Sequence, residues 1–287
     1  MSSPTNVKQN RDQAERTLRN TATGTWMSRL ARLGYATKGV VYLIIGGLAT
    51  QLAVGHGGSA TDQRGALRVI YEQPFGKFLL AIVALGLLGF ALWSFVQAIF
   101  DTEGKGRSAK GSIERIGYAL VGVSSGALAF GAYQLAAGTG SGGNSSTANA
   151  QDWTAFLLKQ SFGVVLVVLV GLVVIAVAFY LFSKAYSAKF RSQLNLATVG
   201  AQMQRMIIFV GRCGYAALGV VFSIIGLFLI VAASQHDPQQ AKGLDSALQE
   251  LLHQPFGPLL LGIVALGLIA YGAYSLVEAR YRRVGRG

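Results

Sequence analysis

The sequence predicts an all-α integral membrane protein, with six transmembrane helices forming three tandem helical hairpins of approximate threefold symmetry. Three observations predict it. Six stretches carry no Asp, Glu, Lys or Arg, at 39–61, 78–100, 116–151, 160–183, 213–235 and 258–277. Basic residues fall mainly in alternate connections between those stretches, and one set of short motifs recurs in every second stretch.

Each stretch holds a segment near the ~20 apolar residues that cross a ~30 Å hydrocarbon core. Of 287 residues 52% are apolar and only 13% charged, too little charge to cover a soluble domain. Helices buried in a soluble core usually keep a polar stripe, and these do not. A β-barrel is excluded because its strands alternate in polarity, whereas Leu79-Leu80-Ala81-Ile82-Val83-Ala84-Leu85 is apolar at every position. Residues 1–29 are polar and basic and hold no apolar central run, so no signal peptide is expected.

The net charge of +13 is a matter of topology. Of the 25 Lys and Arg, five (Arg64, Arg68, Lys77, Lys159 and Lys242) fall on one side of the six stretches, which leaves 20 on the other. By the positive-inside rule the N- and C-termini are cytoplasmic, in a bacterial cytoplasmic (inner) membrane. The basic excess then faces anionic headgroups, at ~1 kcal/mol per charge near the surface, and nucleic acid is not needed as a partner.

The elements follow in order. Residues 1–29 read as a basic cytoplasmic arm, and the hairpins occupy 30–101, 112–187 and 207–281. The odd stretches open with Arg32-Leu33-Gly34-Tyr35-Ala36, Arg115-Ile116-Gly117-Tyr118-Ala119 and Arg212-Cys213-Gly214-Tyr215-Ala216, each with a second glycine five residues after the first. The even stretches open with Gln73-Pro74-Phe75-Gly76, Gln160-Ser161-Phe162-Gly163 and Gln254-Pro255-Phe256-Gly257. An aromatic follows 17 residues after each of those last glycines (Trp93, Tyr180, Tyr274), and Gln97, Lys184 and Glu278 stand four further on. The glycines read as small-residue packing sites, and Pro74 and Pro255 as first-turn helical residues.

Between odd and even stretches lie amphipathic surface segments. Ala66, Leu67 and Ile70 share one helical face, as do Ala247, Leu248 and Leu251, with Asp245 as the expected N-cap. In the middle copy Trp153 and Phe156 take the apolar positions, after a Gly/Ser-rich loop at 138–150 that is expected to be flexible.

The triplicated Arg-x-Gly-Tyr-Ala hairpin with Gln-Pro-Phe-Gly resembles a bacterial membrane family, the domain of unknown function 1206, over roughly residues 30–281. The resemblance implies six spans in three repeats and lends no catalytic residue.

Candidate chemistry is sparse. Cys213 is the only cysteine, so no intramolecular disulfide can form. His56, His236 and His253 lie in or near the outer connections without the clustering a metal needs. No catalytic motif appears, so catalytic, metal and cofactor sites are all expected to be absent and the protein is read as non-enzymatic. Three same-direction hairpins match the plan of mitochondrial carriers, but the odd stretches lack those carriers' proline and acid. Mid-span positions read as uncharged, which argues against a path for charged solutes.

The candidate site is therefore the cytoplasmic rim: Arg32, Tyr35, Gln97, Arg115, Tyr118, Lys184, Arg212, Tyr215 and Glu278. Arg212 is expected to pair with Glu278 and Arg32 with the Gln97 amide. Arg115, facing Lys184, turns to Glu114 or to a neighbouring repeat's carbonyls. The preferred function is a structural or accessory subunit that packs against other membrane protein subunits, and the alternative is a small-solute or lipid transporter or channel.

Overall fold

The computed structural model describes residues 25–100, 109–140, 142–196 and 199–282. Most of the arm expected over 1–29 lies outside the described residues, as do Lys105 and Arg107. In chain order the helices are α1 (Thr25–Ala53), α2 (Gln63–Tyr71), α3 (Gly76–Phe100), α4 (Ala109–Ala137), α5 (Ser146–Leu158), α6 (Gly163–Ser187), α7 (Ala201–Gln235), α8 (Leu244–His253) and α9 (Gly257–Tyr281). Short 3-10 turns occupy Lys189–Gln193 and Pro238–Gln240. Extended pairing among the described residues is limited to an isolated bridge between Leu194 and Arg282.

Six helices (α1, α3, α4, α6, α7 and α9) are long and apolar enough to cross a membrane. At 1.5 Å per residue even the 25-residue ones reach about 38 Å. Arg32, Arg115 and Arg212, on the first spanning helix of each hairpin, mark one end of the bundle, the arginine end. The short helices α2, α5 and α8 lie at the opposite, lid end.

The lid corrects several boundaries. Helix α1 stops at Ala53, well short of residue 61, because Gly55, Gly57 and Gly58 turn the chain at φ 71°, 80° and 83°. Asp62 then caps α2 by accepting from the Gly65 N–H at 2.8 Å. In α8 the N-cap is Gly243, not Asp245. The loop expected to be flexible over 138–150 contains the start of α5, because Ser145 Oγ accepts from the Ala148 N–H at 3.2 Å. Trp153 and Phe156 face outward, edge-on to each other with centroids 6.1 Å apart, and Thr154 takes the buried position.

The even-helix signature has a different cause from the one expected. Pro74 and Pro255 precede the helices, which begin at Gly76 and Gly257; Pro258 is the first-turn proline. The motif is a tight turn between a lid helix and a spanning helix. A Cβ on Gly76 would lie 2.1 Å from the Tyr71 carbonyl oxygen, and one on Gly257 1.8 Å from that of Leu252. Only glycine fits there. Phe75 and Phe256 take left-handed φ of 62° and 60°, and with Phe162 they expose their rings.

Packing explains the five-residue glycine spacing. At 100° per residue, five residues separate two positions by about 140°, hence onto two helix faces. The first glycine faces its own hairpin: a Cβ on Gly34 would meet the Phe90 Cβ at 2.5 Å, and one on Gly214 the Tyr271 Cα at 2.6 Å. The second faces another hairpin: Gly39 meets Leu276, Gly122 the Phe95 ring and Gly219 the Phe182 ring. Those three partners all stand 19 residues after the glycine that opens their helix. The closest helix pairs are accordingly between hairpins: α1 with α9, α3 with α4, and α6 with α7. Further small-residue contacts, Gly46 on Ala265 and Gly226 on Gly171, bring backbones together in the first and last of these pairs.

Hairpins one and three also pack internally, α1 on α3 and α7 on α9, but α4 and α6 of the middle hairpin make almost no contact. Gly117, the equivalent of Gly34 and Gly214, has nothing within 4 Å of a Cβ. The helices therefore run α4–α3–α1–α9–α7–α6 in space, an arc whose two ends belong to the middle hairpin.

Candidate functional site

The arginine end is built from helix termini. The last carbonyls of an α-helix lack intrahelical donors and carry partial negative charge. Arg115, in the second turn of α4, donates to two of them on α3, Nε to the Ala98 oxygen at 2.6 Å and Nη2 to the Ile99 oxygen at 2.9 Å. Arg212 on α7 donates Nη2 to the Tyr186 oxygen of α6 at 3.0 Å. Each arginine thus caps the final helix of the preceding hairpin. This satisfies Arg115 through a neighbouring repeat, as expected, but overturns the Arg212–Glu278 pair. Arg32 is exposed, and no such cap is formed by it among the described residues.

Glu278 pairs within its own helix instead. Arg282 Nη1 donates to Glu278 Oε1 at 2.7 Å, and both residues are buried. The i,i+4 spacing places them on one face of α9, whose terminus is held by the connection between hairpins two and three. Ala188, in a left-handed conformation, ends α6. The following turn inserts Phe190 between Tyr215 and Tyr274, at centroid distances of 5.3 and 5.0 Å. Leu194 then bridges to Arg282, and the Asn195 N–H donates to the Tyr281 oxygen at 2.7 Å. The segment is a plug across this end of α7 and α9.

Inside the plug lies a group of aromatic rings with cations on their faces. Tyr215 meets Tyr271 and Tyr274 at 5.5 and 5.6 Å, Tyr42 meets Tyr271 at 4.9 Å, and Tyr35 meets Phe90 at 5.1 Å. The Arg282 guanidinium stands 4.7 Å from the Tyr35 ring centre, and Lys184 Nζ 4.3 Å from that of Tyr215. Lys38 Nζ lies between two rings, 4.9 Å from Tyr271 and 5.3 Å from Phe90. Such contacts contribute about 0.5–2 kcal/mol each, more as the site dries.

Of the nine rim residues expected from sequence, Tyr35, Tyr215, Glu278 and Lys184 join this group, and Gln97 is buried. Tyr118 is half-buried on α4, and Arg32, Arg115 and Arg212 lie within α1, α4 and α7, well past the first residue of each. The sequence reading missed Lys38, Tyr42, Phe190, Tyr271, Tyr274 and Arg282. Lys38 is one of the 20 basic residues that the sequence places on the cytoplasmic side, because it precedes the charge-free run at 39–61, yet it lies well inside α1, so the span does carry a charge. Its i+3 spacing from Tyr35 was the available signal, as was the i+4 spacing of Arg282 from Glu278. Among the described residues, Trp93 Nε1 and Tyr274 Oη are buried beside these rings without a hydrogen-bond partner.

At the lid end the N-termini of the three short helices meet. Asp62 accepts from the Ser146 N–H, and Asp245 Oδ1 accepts from Ser146 Oγ at 2.9 Å, Thr147 N at 3.2 Å and Thr147 Oγ1 at 2.5 Å. Asp245, expected as a cap of its own helix, ties α8 to α5 instead. Lys242 and Glu250 form an ion pair beside it, and that hydrogen bond holds the Glu250 carboxyl below its ordinary value.

The model of the Domain of Unknown Function (DUF1206) family matches the chain three times, over 33–101, 116–188 and 213–282. The chain is 38% identical over 262 residues to the uncharacterized protein YxxB of Bacillus subtilis (strain 168), covering 91% of this chain and 94% of that protein. No solved structure matches it.

Proposed function

This chain belongs to the DUF1206 family, and from that premise we propose that it is a non-enzymatic structural or accessory subunit of a bacterial inner membrane. In this reading it packs against other membrane protein subunits, the termini face the cytoplasm, and the three hairpins surround the membrane normal with approximate threefold symmetry that is relaxed in the middle copy. Anionic headgroups contact the arginine end.

The observation that carries this reading is the glycine-tight packing between hairpins. Gly39 and Gly272 approach so closely that a Cβ on either would lie 2.8 Å from the other's carbonyl oxygen. Backbones in such contact leave no solute path between α1 and α9; the Phe190 turn packs across α7 and α9 at one end, and Asp62 and Asp245 tie the lid helices together at the other. Structural packing is what such a construction serves best. The test is purification from native membranes in mild detergent, followed by mass spectrometry of proteins and lipids. A stoichiometric membrane-protein partner is the expected result; a chain that purifies alone and carries solute flux in proteoliposomes would overturn it.

The transporter reading draws support from one observation, the charges of Lys38 and Glu278 within the bundle. Intramembrane ionisable groups commonly mark ion or substrate pathways. The same flux assay on the Lys38→Met variant tests it, because a pathway charge is required for flux.

A further inference from the structure

We propose that Lys38 is the cation of a phosphate-binding site inside the arginine end of the bundle. Lys38 lies six residues, or about 9 Å, further along α1 than Arg32, inside the apolar part of that helix. It stands between Phe90 and Tyr271, which occupy equivalent positions 14 residues after Gly76 and Gly257. Two even helices from different hairpins thus present matching ring faces to one charge.

The rings hold the ammonium but do not neutralise it. Among the described residues it donates no hydrogen bond to a protein acceptor, although an ammonium carries three donors. The carboxylate that faces it, Glu278, is engaged by Arg282 at 2.7 Å. Burying a charge without a counter-charge is costly. One turn from each ring comes a buried donor with no acceptor, Trp93 Nε1 after Phe90 and Tyr274 Oη after Tyr271. Those two also occupy equivalent positions, 17 residues after Gly76 and Gly257. An unneutralised cation accompanied by unfilled donors calls for a ligand that brings negative charge and several acceptor oxygens. A phosphate group does both, whether it belongs to an anionic phospholipid or to a free phosphate.

The experiment uses the full chain, stripped of lipid in an uncharged detergent, with thermal melts against phosphatidylglycerol, phosphatidylcholine and inorganic phosphate. Phosphatidylglycerol raises the wild-type melting temperature and phosphatidylcholine does not; a matching response to inorganic phosphate shows that the phosphate alone suffices, and its absence assigns the source to the lipid. Lys38→Met weakens the midpoint of that response at least about tenfold, and Lys38→Arg retains it. Tyr274→Phe, which removes only an oxygen, weakens it by about threefold to tenfold. Should Lys38→Met fail to fold, Tyr274→Phe decides. An unaltered midpoint in the variant that decides, or no response of the wild type to either phosphate source, overturns the proposal.

Discussion

Arg282 Nη1 and Glu278 Oε1 lie 2.7 Å apart on one face of α9, both buried beneath the turn that carries Phe190. Removing one member of a buried pair strands the other charge, at about 3–5 kcal/mol. Arg282→Met should therefore lower detergent stability by that amount, and the double change with Glu278→Gln should recover much of it. Arg212→Ala, which uncaps an exposed helix end, should cost only about 0.5–1 kcal/mol. Thermal melts of the three variants check the ordering; equal losses for Arg212→Ala and Arg282→Met would contradict it.

The three equivalent glycines should behave unequally. A methyl on Gly34 would meet the Phe90 Cβ at 2.5 Å, and one on Gly214 the backbone of Tyr271 at 2.6 Å, whereas Gly117 has open space. Gly34→Ala and Gly214→Ala should each destabilise by about 1–3 kcal/mol. Gly117→Ala should stabilise by up to about 1 kcal/mol, because alanine is the better helix former. Melting temperatures of the three single variants measure this directly.

The return of hairpin three onto hairpin one can be trapped covalently. A Cβ built on Gly262 of α9 lies 3.8 Å from the Ala53 Cβ of α1, and one on Gly126 of α4 lies 4.0 Å from the Ala91 Cβ of α3. Both separations suit a disulfide, whose Cβ atoms stand about 3.8 Å apart. In a Cys213→Ser background, cysteines at 53 and 262 and at 91 and 126 should each cross-link under mild oxidation. Hairpins laid out in a row would give the second bridge and not the first.

Glu250 contributes a pH-dependent part of lid stability. Its hydrogen bond from Lys242 holds its carboxyl below the ordinary value of about 4.3. A depressed carboxylate stabilises the fold above its unfolded pKa, and the contribution disappears as pH falls through the folded value. The pair is partly exposed, so Glu250→Gln should cost no more than about 1 kcal/mol near neutral pH. That difference should vanish in melts run well below pH 4, and a difference that persists there would rule out the ion pair as its source.

Topology should follow the basic residues. Reporter fusions at residues 105 and 195 and at the C-terminus should report the cytoplasm, and fusions at 60, 145 and 240 the opposite side. An odd number of crossings would refute the proposed orientation.

By itself the sequence determined that the chain is all-helical, that six of its helices are long and apolar enough to cross a membrane, and that the hairpins are repeats. These properties are local: apolar run length, charge placement and motif recurrence are written residue by residue. Even the two glycine faces of each odd helix were present, as a spacing of five. Which partner each face would meet was decided only by the tertiary structure. Arg212 finds the Tyr186 carbonyl rather than Glu278 because the closest packing is between hairpins, which places the α6 terminus beside Arg212, three turns into α7. Lys38 became part of the interior for the same reason: Phe90 and Tyr271 are 181 positions apart in the chain, and only the packing of α1 against both α3 and α9 brings their rings to one ammonium.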